Sequence, residues 1–181
     1  MRRRTFLSAV SAVGVGGLAG CNAPTGDGAT ETRAGGDGGT EDEGGGTEQI
    51  RMVTQDSDYF FDPIGLFVEP GTTVEWVNEA GSHSSTAYAS SLDSAEVTRI
   101  PGDAEPWNSE ILTDQGATFS HTFEVTGTYD YFCIPHKTLG MVARIVCGEP
   151  GDVEGDPPDA DVPAEQAIVE QGAISYSEFS G

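Results

Sequence analysis

Tyr129-Asp130-Tyr131-Phe132-Cys133-Ile134-Pro135-His136-Lys137-Thr138-Leu139-Gly140-Met141 links one alternating apolar run to a second, Val142 to Val146. Between Cys133 and Met141 it places a thiolate donor, an imidazole donor and a thioether donor. A soft sulfur, a nitrogen and a weak second sulfur on one short loop suit copper better than any other common metal. A trigonal site of that kind needs one more imidazole, and His83, fifty positions before Cys133, can supply it.

The runs around this loop read as strands. Thr128 to Phe132 delivers Cys133, with Tyr129, Tyr131 and Cys133 on one face by the period of two. Thr126-Gly127 is a turn, and before it Ala117 to Val125 sets Phe119, His121, Phe123 and Val125 against Thr118, Ser120, Thr122 and Glu124. Val142 to Cys147 is the last strand. Further upstream lie Ile50 to Thr54, then Leu66 to Val68 running into the turn Glu69-Pro70-Gly71. Thr72 to Asn78 follows, with Val74 and Trp76 opposite Thr73 and Glu75, and then His83 to Ala89. Seven or eight short strands in about a hundred residues, with no helical period, predict an all-β domain over 49–148, an antiparallel β-sandwich. Ser90 to Gly116 is a long connection of the kind that carries function or a small helix.

The flanks have other roles. Arg3-Arg4-Thr5-Phe6-Leu7 matches a twin-arginine export address, and the small apolar run to Ala19 is too short and glycine-rich to span a membrane. Residues 1–21 are therefore an export signal, and Cys21 at its end is placed to carry a lipid anchor. Residues 22–48 hold Gly, Thr, Asp and Glu with almost nothing apolar, which predicts a disordered acidic tether reaching about 30 Å. Residues 149–181 are an acidic C-terminal extension, with a helical turn or two over Pro163 to Gln171 and Ala173 to Phe179 able to pack back onto the domain.

The 181 residues carry a formal charge of −22, and beyond Cys21 five basic residues face thirty acidic ones, a net of −25. Phosphate binding needs clusters of Lys and Arg, so nucleic acid is excluded as a partner. Lys137, next to His136 in the donor loop, is the one lysine and reads as a solvated charge. Such acidity resembles that of proteins from salt-loving archaea, where charge keeps a protein soluble and salt screens its self-repulsion. Three cysteines without regular spacing make no disulfide framework, and Cys147 at a strand end reads as a buried free thiol.

The order His83, then Cys133-x2-His136-x4-Met141, resembles the plastocyanin and halocyanin family of blue-copper proteins, with their cupredoxin-like Greek-key β-sandwich. Val68 to Trp76 looks like the strand pair before the first ligand, and Gly127 to Cys133 like the strand into the second. The signal, Leu18-Ala19-Gly20-Cys21 and the acidic tether are similar to haloarchaeal membrane-anchored members. The resemblance implies one type 1 copper held by His83, Cys133 and His136 with Met141 as a long axial ligand. It implies a monomeric carrier cycling between Cu(I) and Cu(II) at the outer membrane face. Its partners would be membrane redox complexes: a quinol-oxidising complex, a terminal oxidase or a denitrification enzyme.

Two positions depart from the family pattern. Ser84 stands where plastocyanins usually have an Asn that ties the ligand loops together. Phe132 stands where they commonly have a Tyr serving as a remote electron entry, which points to His136, rimmed by Pro135, Leu139 and Gly140, as the electron port. Pro135 has no N–H to offer the thiolate.

Rival readings fit less well. Structural zinc wants paired cysteines, a binuclear copper site wants a second cysteine in the loop, and multicopper enzymes want more histidines than the three present. No nucleophile–base pair or paired catalytic carboxylate is evident, so no enzymatic activity is expected. His121, among phenylalanines, reads as a packing residue. The alternative function is a copper chaperone or store, which favours exposed Met and His clusters.

Overall fold

A computed structural model of the chain describes residues 46–151 and 153–181. The export signal with Cys21, and all of the tether up to residue 45, lie outside the described residues.

Nine strands among the described residues form two packed sheets. They are β1 (Thr47–Gln55), β2 (Asp58–Asp62), β3 (Gly65–Val68), β4 (Thr72–Asn78), β5 (Thr86–Ala87), β6 (Thr118–Phe123), β7 (Gly127–Phe132), β8 (Val142–Cys147) and β9 (Ala173–Ile174). The first sheet runs β2-β1-β4-β6 and the second β5-β7-β8-β3-β9. The all-β sandwich is as expected, but it is not purely antiparallel: β1 pairs β4 in parallel, as β3 does β8. The chain changes sheet between β2 and β3 and again between β3 and β4, so strands of like direction become neighbours. A local hydrophobic pattern carries no information about strand direction.

Period-two burial is sharpest in β4, where Thr72, Val74, Trp76 and Asn78 are buried and the residues between them are half-buried. Trp76 is fully enclosed, 5.6 Å from the Tyr131 ring edge-on and 5.7 Å from Trp107. This aromatic layer fills the sandwich below the donor loop. His121 stacks on Trp107 at 4.8 Å, the packing role expected of it. Cys147 is a buried free thiol.

β7 and β8 are buried on both faces. Tyr129, Tyr131 and Cys133 face the core, as alternation predicts. The other face, Thr128, Asp130 and Phe132, is covered by the 88–99 segment and by the C-terminal residues. Tyr88 packs on Phe132 at 4.5 Å and donates its hydroxyl to Asp159 at 2.6 Å. Thr128 bonds Glu165, and Val162 joins Phe132 and Val142 in a second small core. The extension thus packs onto the domain. Its helix α1 (Glu165–Gln171) buries Ile168 over Gly65, where an added Cβ would lie 2.9 Å from Ile168 Cγ1. β9 then lines the outer edge of β3, and α2 (Tyr176–Phe179), started by a Ser175–Glu178 capping box, stacks Tyr176 on Phe60 at 4.1 Å.

Other boundaries move. β1 begins at Thr47, inside the stretch read as tether, and β2 appears where acidic residues masked a strand. The strand expected over His83 to Ala89 shrinks to Thr86–Ala87, because His83 instead forms a bridge with Leu112 and Thr86 one with Asn108. The 90–116 connection carries no helix; it returns chain to flank these residues.

Candidate metal centre

β7 and β8 pair in register down to Phe132 opposite Val142. One step further, Cys133 N–H donates to Met141 O at 3.0 Å. The residues between them form a 3-10 turn, Ile134–Leu139, rather than an irregular loop. Cys133 caps it in extended conformation, Pro135 sits in its first turn where no N–H is needed, and Gly140 ends it with φ at 85°. This closed turn aims Cys133 and His136 the same way.

His83 arrives from the other segment. Its backbone exchanges two hydrogen bonds with Leu112, at 3.0 and 2.7 Å. Asn78 Nδ2 points at the carbonyls of Gly81, Leu112 and Asp114 within 3.1–3.2 Å and so gathers both sides of that bridge. The outer imidazole nitrogen, Nε2, lies 2.9 Å from Ala80 O and 2.9 Å from Thr54 Oγ1. A proton on Nε2 satisfies the carbonyl and leaves Nδ1 free to ligate.

His83, Cys133 and His136 offer ligand atoms all within 4.8 Å of one another. Cys133 Sγ is 3.6 Å from His83 Nδ1 and 3.4 Å from His136 Nδ1. Nitrogen and sulfur donors at bond lengths of about 2.0 and 2.3 Å on one trigonal ion lie about 3.7 Å apart, so the donor set fits a single shared metal. Met141 is fully buried, its backbone tied to Cys133 and to His136 O. Cys21, the expected lipid anchor, falls outside the described residues.

Electrostatics favour the same use. Burial pushes the His83 imidazole down to about 4 and lowers that of His136, so both rings are neutral at pH 7, the ligating form. Burial pushes the Cys133 thiol up to about 11, against the N–H groups of Ser84 and His136. A thiolate there needs a cation beside it.

Ser84 supplies the tie that the Asn-to-Ser departure put at issue. Its N–H donates to Cys133 Sγ at 3.4 Å, and its hydroxyl accepts from Ile134 N–H at 2.8 Å. One short residue therefore joins the two segments that carry the donor atoms. Lys137 departs from expectation: it donates to Ser94 O at 2.9 Å and sits 5.1 Å over the Phe132 ring, so it pins the turn to the 88–99 segment. Sequence reasoning missed the roles of Thr54, Tyr59 and Asn78. Asn78 could have been found, as a polar residue in the buried phase of an alternating strand.

The site and sandwich together define a mononuclear copper protein of the cupredoxin class. Residues 48–148 match the family described as copper binding proteins, plastocyanin/azurin family, and the chain belongs to that family. It is 33% identical over 85 residues to plastocyanin of Scenedesmus fuscus, covering 47% of this chain and 83% of the relative. It is 29% identical over 105 residues to halocyanin of Natronomonas pharaonis, covering 56% of this chain and 57% of that one. Pseudoazurin from Methylobacterium extorquens AM1 aligns at 22% identity with a TM-score of 0.46, over 59% of this chain and 79% of its own. Proteins of this family bind one copper and are typically electron carriers that serve redox partner proteins. No helix among the described residues is long and apolar enough to cross a membrane.

Proposed function

We propose that this protein is a non-enzymatic one-electron carrier whose copper would be held by His83, Cys133, His136 and Met141. Copper held by these residues supplies a Cu(II)/Cu(I) couple. The observation that carries the reading is the meeting of three donor atoms within 4.8 Å from two separately anchored segments. Cys133 and His136 sit on a turn between paired strands, and His83 is bridged to Leu112, so the ligands keep their places when charge changes. Small ligand movement is what a carrier requires.

His136 is half-buried, with Pro135 exposed beside it and Leu139 63% exposed. Phe132, covalently next to Cys133, is fully buried. These exposures support His136 as the electron port and the apolar rim as the docking face. Twin-arginine export, lipid on Cys21 and an acidic tether would hold the carrier at the outer membrane surface, where a quinol-oxidising complex, a terminal oxidase or a denitrification enzyme is the expected class of partner.

The test is the visible and EPR spectrum of copper-loaded protein, repeated for His83→Ala. An intense thiolate-to-copper charge-transfer band, lost in the variant, is expected. A colourless protein that yields copper to a weak chelator would instead indicate a chaperone or store. For the anchor, Cys21→Ala is expected to release the protein from the membrane fraction.

A further inference from the structure

Tyr59 lies outside the ligand set yet touches both imidazoles. Its ring is stacked on His136, centroids 3.9 Å apart and planes 12° apart, and meets His83 edge-on at 6.4 Å and 63°. It is held there by β2, whose register sets Tyr59 directly opposite Thr54 on β1. Thr54 is the residue whose hydroxyl lies 2.9 Å from His83 Nε2. One cross-strand pair therefore steadies both imidazoles from outside, His83 by a hydrogen bond and His136 by a ring face. Side chains directly opposite on neighbouring strands share a face, so the two contacts are built as a unit. Among the described residues, no hydrogen bond reaches the outer nitrogen of His136 to match the pair on His83.

We infer that Tyr59 is a positioning residue that sets the reduction potential of the site through its stack on His136. This rests on the copper reading above. A ligand imidazole is more positive when it holds Cu(II) than when it holds Cu(I). The face of an aromatic ring carries the negative part of its quadrupole and attracts positive charge. The stack accordingly favours the oxidised state and lowers the potential. It also blocks one face of the half-buried imidazole and limits its rotation about the turn.

The test compares wild type, Tyr59→Phe and Tyr59→Leu, each loaded with copper and poised in one mediator buffer at the wild-type midpoint. Tyr59→Leu is expected to raise the reduced-to-oxidised ratio two- to five-fold, about 20–40 mV at 59 mV per tenfold for one electron. Tyr59→Phe keeps the ring and should stay near the wild-type ratio. Proton NMR of the copper-free and Cu(I) forms gives a second readout: the ring-current displacement of the His136 ring protons should persist in Tyr59→Phe and collapse in Tyr59→Leu. An unmoved or lowered ratio in Tyr59→Leu, an equal shift in Tyr59→Phe, or no ring-current displacement in wild type overturns the inference. A wild-type protein without the charge-transfer band would instead sink the copper reading, and this inference with it.

Discussion

Asp130 on β7 and Arg144 on β8 face each other across the antiparallel ladder, and the guanidinium grips both carboxylate oxygens at 2.7 and 3.0 Å in a buried pair. Arg99 adds a third bond to Asp130 at 2.7 Å. Both arginines also donate to Gly155 O, and Arg144 reaches Pro163 O, so the pair fastens the C-terminal residues to the sheet. Removing one partner from a buried pair leaves an uncompensated charge, at about 3–5 kcal/mol. Asp130→Asn leaves two cations facing each other and is expected to be at least as costly as Arg144→Met. Urea unfolding measures both, and limited proteolysis should cut Arg144→Met first near residues 154–163. A midpoint unchanged in either variant would refute the latch.

Gly81 has φ of +96°, and a Cβ there would sit 2.4 Å from Thr54 Oγ1 and 3.1 Å from His83 Nε2. Gly81→Ala is expected to push Thr54 off the imidazole and strain the backbone. Loss of an outer hydrogen bond to a ligating histidine typically costs 10–100-fold in metal affinity. Competition with a chelator of known copper affinity should place Gly81→Ala in that range. Thr54→Val should lose less, because it removes the hydroxyl without straining the backbone at Gly81 or crowding the imidazole, and Ala80 O still accepts from Nε2.

Ser84→Ala removes the acceptor of Ile134 N–H and leaves the backbone N–H to Cys133 Sγ in place. Stability is expected to fall by about 1–2 kcal/mol. The charge-transfer band should keep its position, since the sulfur keeps its donor. A band that moved with little loss of stability would mean the hydroxyl acts on the sulfur rather than on the turn.

Burial pushes the Cys147 thiol up to about 11, with Glu69 and Glu124 adding to the shift. The folded value lies above the unfolded one, so this contribution is complete below the unfolded value near 9. It is lost as pH rises through about 11, because the unfolded chain gives up its proton first. Wild type should therefore lose stability between pH 9 and 11 more steeply than Cys147→Ala, by about 2–3 kcal/mol in all. At pH 7 the variant should cost only about 1 kcal/mol for its small cavity. Parallel alkaline slopes would refute the assignment.

The parts legible in the sequence were those with local signatures. β4 and β7 announce themselves by polar–apolar alternation in the sequence, β8 by a short apolar run, and the donor cluster by chemistry and spacing. β2 stayed hidden because Asp58 and Asp62 bracket its aromatic residues like loop residues, and with it went Tyr59. Asp130 alternates with Tyr129 and Tyr131 as a solvent-facing residue would; only the covering 88–99 segment and the C-terminal residues make it buried. β5 is shorter than its sequence suggests because Ser84 and Ser85 are buried through side-chain and single backbone bonds, and only Thr86 and Ala87 join the ladder to β7. Non-local partners decide each of these cases.

Pairing of β9 with β3 joins Gly65 to Ile174, about a hundred residues apart. On the ribosome, β3 is made early and can pair with β8 on one side as soon as β8 emerges, while its other edge waits for β9. An open strand edge is a template for any neighbouring chain. The order of synthesis thus runs against the order of protection: the interval between making β8 and making β9 is when nascent copies are most exposed to pairing with one another.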